Sequence, residues 1–278
     1  MPLALPTTLT PSKVTAFTNC PLAFRYSVID RLPEPPSPHA VKGTLVHRAL
    51  QLLFSERAPG TRSAQAAHGA LGAAWEEMLG SEDVAALELS AEDLALFRAD
   101  AGSLVDGYLA LEDPDGAQAI GLELDLRVEM DGVVMRGIID RLDRLPSGEL
   151  AVVDYKTGRA PFPDQSRARM AGVHFYAYLC EQVIGVRPVS IRLLYLRDPV
   201  EISAEPSDQM MRGLRQRAGA VWQAVVRACA QDDFRPHPSA LCNSCGYRAY
   251  CPAVGGDPQL ALAELARAEP AETAPVLG

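Results

Sequence analysis

The densest run of chemistry-bearing residues lies between Gly137 and Gly158: Gly137-Ile138-Ile139-Asp140-Arg141-Leu142-Asp143-Arg144-Leu145, then Pro146-Ser147-Gly148, then Glu149-Leu150-Ala151-Val152-Val153-Asp154-Tyr155-Lys156-Thr157-Gly158. Pro146-Ser147-Gly148 reads as a three-residue hairpin loop with glycine at the position that needs a left-handed backbone. Pairing Leu145 with Glu149 sets the register and brings Asp140 opposite Asp154 on neighbouring antiparallel strands. Lys156, two residues beyond Asp154, falls on the same face, and Tyr155 on the other. Facing carboxylates repel unless a cation or a shared proton lies between them. Oxygen-rich pairs of this kind suit magnesium or manganese. The alternative is a solvated hairpin whose charges keep a sheet edge soluble. Ile138, Ile139, Val152 and Val153 argue against it, because such runs mark strands covered on both faces.

Asp140 followed by Asp154-Tyr155-Lys156-Thr157-Gly158 resembles the signature of the PD-(D/E)xK nuclease superfamily, and the Asp-Tyr-Lys-Thr-Gly form resembles its RecB-like exonuclease branch. That resemblance implies phosphodiester hydrolysis and a histidine ligand from a helix upstream, within Gly-Thr-Leu-Val-His. Gly43-Thr44-Leu45-Val46-His47 matches that pattern. Spacing alone puts Gly43, His47, Leu50 and Phe54 on one helix face and favours a hydrogen-bonded core histidine at 47. The resemblance makes it a metal ligand, together with Asp140, Asp154 and the main-chain carbonyl of Tyr155. It gives Lys156 the task of orienting or deprotonating the attacking water. A nitrogen ligand tilts the site towards manganese over magnesium.

The family also carries a glutamate near the metal on the preceding strand. Glu123 matches it, with a solvent-facing acid as the alternative. The RecB-like branch places a glutamine four residues before a tyrosine on the helix after the lysine, where it helps hold DNA. Here Gly172 precedes Tyr176 and His174 precedes Tyr178. The glutamine is absent, and His174 is the candidate substitute. Tyr176 and Tyr178 belong either to that DNA site or to the core.

The cysteines form a second constellation. Cys242-Asn243-Ser244-Cys245 is a CxxC pair, and Cys251 adds a third thiol in a loop rich in Gly, Asn, Ser and Pro. Three thiols so close ask for a fourth, which Cys20 supplies if the first helix packs beside this loop. Spacing leaves zinc and a 4Fe-4S cluster open, with disulfides a third alternative. One cysteine before the nuclease motif and three after it resembles the iron-sulfur RecB-like nucleases, a group that includes the CRISPR-adaptation exonucleases. Such a centre would be structural, clamping the two chain ends together. Cys180 and Cys229, within apolar helices, read as small core residues.

These sites need elements to position them. Residues 10 to 30 read as one helix, and a second begins near Ala40 after the Pro-rich link Pro33 to Pro38. Residues 61–115 read as an acidic helical insertion: between 76 and 115 there are twelve acids against one base, Arg98. Ile120 to Met130 reads as a strand, and Asp131-Gly132 as a hairpin turn into Val133 to Leu145. A helix follows from about Gln165 to Ile184, a strand from Val189 to Leu196, and a long amphipathic helix from Ser207 to Ala230.

At 278 residues and a net charge of −9, composition is that of an ordinary soluble globular chain. The acidity is local. Outside residues 76 to 115 there are 25 bases and 23 acids, so a polyanion need not be repelled. Neither a secretory signal nor a bilayer-spanning stretch is evident, which places the chain in the cytoplasm with no membrane partner. The expected fold is α/β: a mixed central β-sheet with a restriction-endonuclease-like core, flanked by helices, with the N- and C-terminal segments joined by a four-cysteine cluster. Residues 1–8 are expected to be a flexible N-terminus, 9–255 a single nuclease domain, and 256–278 a disordered tail. The implied function is a Mg- or Mn-dependent DNA exonuclease on single-stranded ends, in repair or recombination, with helicases or other repair proteins as possible partners. The rival is a non-catalytic DNA-binding or scaffold component of a helicase-nuclease complex, which the missing glutamine supports.

Overall fold

The computed structural model describes residues 2–34, 37–161 and 166–268, the side chains of 166–171, 173 and 268 excepted. The chain divides into two compact units, Met1–Pro35 with Ala218–Gly278, and Pro36–Arg217.

The first unit opens with a two-residue strand, β1 (Thr8–Leu9), then α1 (Pro11–Asn19), α2 (Pro21–Phe24) and a wide π-type turn, Arg25–Ile29. The Thr10 hydroxyl caps α1 by accepting from the Lys13 N–H at 3.2 Å, with Pro11 at the first helical position. The single helix expected over 10 to 30 is therefore broken. Cys20 is extended, with φ −160° and ψ 106°, because Pro21 disfavours helical backbone in the residue before it.

The second unit begins with α3 (Pro38–Glu56), α4 (Ala64–Met78), α5 (Glu82–Ala85) and α6 (Ala91–Leu111). Ser63, Ser81 and Ser90 cap the last three, each accepting from the N–H three residues on. Five strands follow: β2 (Ala119–Met130), β3 (Val133–Arg144), β4 (Leu150–Lys156), β5 (Ser190–Tyr195) and β6 (Val200–Ala204), with α7 (Ser166–Val183) between β4 and β5. Within this unit they lie in the order β2-β3-β4-β5-β6. The β4–β5 pair is parallel and the others antiparallel, so the sheet is mixed. A parallel pair needs a crossover, which α7 supplies. The sequence did not announce β6, a short strand of mostly polar and exposed residues. The long helix α8 (Asp208–Gln231) has residues in both units, and α9 (Pro258–Ala268) closes the described chain.

Two turns set the register. Asp131 and Gly132 both have left-handed backbones, φ 51° and 80°, the combination a two-residue hairpin loop requires. In the second turn the Leu145 N–H donates to the Glu149 carbonyl at 2.8 Å and Gly148, at φ 88°, donates back to Leu145. Arg141 pairs with Val153 and Arg144 with Leu150. One further step in that register sets Asp140 against Asp154.

On the Tyr155 face, α3, α4 and α6 build the main core, in which Leu53, Trp75 and Tyr108 are buried with Val153, Tyr155 and Leu194. Gly107 of α6 meets the main-chain carbonyl of Leu196 so closely that no Cβ would fit. On the other face Gly137 meets Leu179 and Tyr176 of α7. Coverage there is incomplete: Ile138, expected to be a strand residue covered on both sides, is 40% exposed. A buried ionic knot ties the core to the sheet. Arg141, fully buried, donates to Glu112 at 2.5 Å, Asp143 at 2.9 Å and the Tyr155 hydroxyl at 2.9 Å. Arg192 reaches the other oxygen of Glu112 at 3.1 Å.

Within the stretch whose composition predicts a disordered tail, residues Pro258–Ala268 are helical, opening on a proline, with Ala261 buried and Leu260 and Leu262 exposed. Residues 269–278 of that predicted tail lie outside the described residues.

Candidate active site

Four elements of the second unit deliver the site: α3 brings His47, β2 Glu123, the β3–β4 hairpin Asp140, Asp154 and Lys156, and α7 Tyr176. His47, Glu123 and Asp140 each offer a ligand atom such that all three lie within 4.8 Å of one another. Among the described residues they are the one group of three or more His, Cys, Asp or Glu side chains to converge so closely.

Asp140 is the hinge of the arrangement. Its Oδ2 accepts from the Tyr155 N–H at 2.7 Å, and its Oδ1 lies 3.5 Å from Nδ1 of His47. The His47 ring stands edge-on to Tyr155, with centroids 5.8 Å apart. His47 reaches this point because α3 runs close to the end of β4. A Cβ on Gly43, one helical turn earlier, would sit 3.2 Å from Oγ1 of Thr157.

Glu123 is brought in by a distortion. Leu122 pairs with Arg141 and Leu124 with Ile139, which sets Glu123 beside Asp140. Its φ is 46°, left-handed for a non-glycine residue within a strand. The β2–β3 pairing also slips between Ala119 and Gly121. A backbone of this kind costs about 1–2 kcal/mol and is typical of functional sites. Plain alternation already puts Glu123 opposite the leucine face, so its inclusion was foreseeable, but the distortion carries no sequence signal beyond Gly121.

Asp154, 2% exposed, forms an ion pair with Lys156 and is hydrogen-bonded by Tyr176. It lies alongside the triad and not within the 4.8 Å group. Burial raises its carboxyl above the usual range, Lys156 pulls it down, and Asp140 pushes it up again. Glu123 is likewise raised, by burial first and by Asp140 second. Burial lowers the His47 imidazole, yet hydrogen bonding and attraction to Asp140, with Asp154 and Glu123 behind, leave it above its ordinary value. Burial also disfavours the Lys156 ammonium, and Asp154 outweighs it. Three partly buried carboxylates are thus compressed around one point with one imidazole and one ammonium. The donor set of two carboxylates and an imidazole suits a divalent cation of the Mn or Mg class, and a cation there would relieve the repulsion.

The other sequence candidates separate. Tyr176 faces the carboxylates, and two residues along a helix is roughly 200° of rotation. His174 and Tyr178 are therefore turned away. The charged neighbour that acts on His174 is Arg217, and those acting on Tyr178 are Arg215, Asp131 and Glu181.

In the first unit, Cys20, Cys242, Cys245 and Cys251 all line one cavity of about 330 Å³. The chain ends are packed together there: the Tyr26 hydroxyl donates to the Tyr250 carbonyl at 3.2 Å, and Arg25 pairs with Asp232 at 2.7 Å. The close four-thiol cluster expected from the sequence is not assembled, since no three of these sulfurs lie within 4.8 Å of one another. Main-chain donors hold two of them instead. The Cys20 sulfur accepts from the His237 N–H and the Cys242 sulfur from the Ser239 N–H, both at 3.4 Å. Cys180 and Cys229 are buried among apolar residues, as their helical settings suggested.

The chain is similar to known proteins in sequence and in fold. The family described as the PD-(D/E)XK nuclease superfamily matches residues 8–252. The "Gene 69 protein" of Mycobacterium phage D29 is 30% identical over 175 residues, 55% of this chain and 63% of that protein. An ATP-dependent helicase/deoxyribonuclease component from Streptococcus equi subsp. zooepidemicus is 26% identical over 179 residues, 58% of this chain but 15% of that protein. The chain thus spans less than two thirds of the length of these curated relatives. In fold it is similar to the crystal structure of a "Putative exonuclease" from Eubacterium rectale, with a TM-score of 0.51 at 12% identity, covering 86% of this chain and 87% of that one.

Proposed function

We propose that this chain, which belongs to the PD-(D/E)XK nuclease superfamily, is a Mn- or Mg-dependent deoxyribonuclease of the RecB-like type acting on single-stranded ends. The observation that carries this is the convergence of His47, Glu123 and Asp140 within 4.8 Å, with the Asp154–Lys156 pair alongside. His47, Glu123 and Asp140 would hold the cation, with Asp154 and the Tyr155 carbonyl completing its surroundings. When bound, the ion would supply Lewis-acid polarisation of the scissile phosphate and acidify a coordinated water. The rest falls to the side chains. Lys156, kept as the ammonium by Asp154, orients that water and offsets charge on the phosphate oxygens. Tyr176 and Lys156 together fix the Asp154 carboxylate. The Tyr155 N–H fixes Asp140 against rotation.

The cysteine cavity supports a structural iron-sulfur group more than zinc. Four thiolates on one zinc sit about 3.8 Å from each other, given Zn–S bonds of roughly 2.3 Å. The cavity of about 330 Å³ that all four cysteines line in the first unit has room for the larger cluster. Cytoplasmic location and a helicase partner complete the proposal. Among the described residues no helix is long and apolar enough to cross a membrane. The partner rests on likeness to a helicase/deoxyribonuclease component.

The test is cleavage of end-labelled single-stranded and duplex DNA with Mn²⁺ or Mg²⁺, with and without chelator. Degradation that needs the metal and prefers single strands supports the activity. Binding without cleavage under all metals would instead make the chain a scaffold in a larger complex. Anaerobic purification should give a brown protein with broad near-visible absorption, and a colourless protein carrying zinc would remove the iron-sulfur assignment.

A further inference from the structure

Directly past Lys156 the second unit contains a small cavity of about 80 Å³, lined by His39, Lys42, Asp100, Thr157, Gly158 and Arg197. Lys42 is 9% exposed, lies over the Phe97 ring at 5.2 Å and pairs with Asp100. Arg197 approaches the other oxygen of the same carboxylate at 3.7 Å. It is held there because the Leu196 N–H donates to the Lys156 carbonyl at 2.9 Å, which fastens the end of β5 beside the end of β4.

The charge balance is the informative feature. A structural ion pair needs one cation for one carboxylate, but here two permanent cations share Asp100 and His39 adds a third basic group. The cavity therefore carries net positive charge, although α6, which supplies Asp100, belongs to a segment with twelve acids and one base. Its size suits a single tetrahedral anion. Arginine, lysine and a hydroxyl are the groups that grip phosphate oxygens.

We propose that this cavity is a subsite for a second phosphate of the substrate strand, next to the phosphate presented at the carboxylates. It rests on the nuclease reading above and adds the residues that select a polynucleotide over an isolated phosphodiester. Arg197 and Lys42 grip the flanking phosphate, and Asp100 holds both cations in place when no strand is bound.

The test is steady-state cleavage, with Mn²⁺, of a short single-stranded oligodeoxynucleotide and of two copies of it. In each copy the phosphate on one side of the scissile bond is replaced by a neutral methylphosphonate. For the unmodified protein, one of the two replacements should raise KM about tenfold, the loss of a charge-assisted contact. R197Q should raise KM for the all-phosphate strand by a similar factor and gain little further from the replacement. D100N, which leaves the cations uncompensated, should lower KM. A network that is merely structural predicts the opposite for D100N, with R197Q and D100N both losing kcat and thermal stability in parallel; that result overturns the subsite. So does an R197Q protein indistinguishable from the parent on every strand. If the unmodified protein cleaves no strand with any metal, the nuclease reading falls and the subsite with it.

Discussion

The main-chain N–H of Tyr155 donates to Oδ2 of Asp140 at 2.7 Å, while Oδ1 of the same carboxylate faces Nδ1 of His47 at 3.5 Å. One side chain thus satisfies a buried donor of β4 and offers its second oxygen to the site. The two roles separate by substitution. Asp140→Ala strands the Tyr155 N–H and should lower stability by about 1–3 kcal/mol, whereas Asp140→Asn keeps an acceptor and relieves repulsion with Glu123 and Asp154. In chelator, D140N should melt at or above the unmodified protein and D140A several degrees below it. Added Mn²⁺ should raise the melting temperature of the unmodified protein only. Equal melting temperatures for the two variants would show that the hydrogen bond is dispensable.

Lys156 is the counterion of a nearly inaccessible carboxylate, Asp154. Lys156→Ala should abolish cleavage, by about a hundredfold or more, while DNA binding measured by fluorescence anisotropy stays within a few-fold of the parent. Retained cleavage would remove the lysine from the chemistry. Lost binding would instead assign it to substrate capture.

Gly43 offers a case where stability and function should part. Alanine in a helix interior is favoured over glycine by about 1 kcal/mol, but a Cβ at 43 would lie 3.2 Å from Oγ1 of Thr157. Relief of that contact moves α3 away from β4, and His47 rides on α3 one turn later. Gly43→Ala should melt at a temperature equal to or above the parent and bind Mn²⁺ several-fold more weakly by calorimetry. Unchanged metal affinity would mean that Thr157 gives way and the helix does not.

Much of this site is legible from the chain alone, for local reasons. The hairpin register follows from a short loop with one glycine, and once Leu145 faces Glu149 the positions of Asp140, Asp154 and Lys156 follow from the period of two. His47 follows from helical spacing and a family resemblance. Glu123 stands only as a candidate in the sequence, because nothing in its residue pattern signals the left-handed backbone at that position. The break at Cys20 is legible in Pro21, whose restraint on the preceding residue overrides the apolar spacing of residues 10 to 30. The turning away of His174 is equally available, since it lies two residues from Tyr176. The Arg141 knot is out of reach. An arginine next to a site aspartate reads as a surface charge, and its partner Glu112 is 29 residues distant on a segment that looks like a solvated acidic wall.

That knot gives a prediction whose sign depends on Glu112. Burial raises the Glu112 carboxyl, but attraction to Arg141 and Arg192 and the hydrogen bonds from Arg141 and Tyr108 together more than reverse this, leaving it below the usual range. A depressed carboxylate stabilises the fold above the unfolded value, about 4.3, and loses that contribution as pH falls through its folded value. Asp143 runs the other way. Burial exceeds the pull of Arg141 and raises it, so its contribution is present at low pH and is lost as pH rises. Glu112→Gln keeps an acceptor for Arg141 and the Tyr108 hydroxyl but removes the first titration. At pH 7 it should cost about 3–5 kcal/mol, since breaking a buried pair leaves charge uncompensated. Between roughly pH 5 and 3 the parent should lose stability steeply and E112Q along a shallower slope, the two curves converging at the acid end. Urea unfolding at half-unit pH steps measures both slopes. Parallel slopes would place the acid-sensitive group elsewhere, and the core arginine would then be held mainly by Asp143.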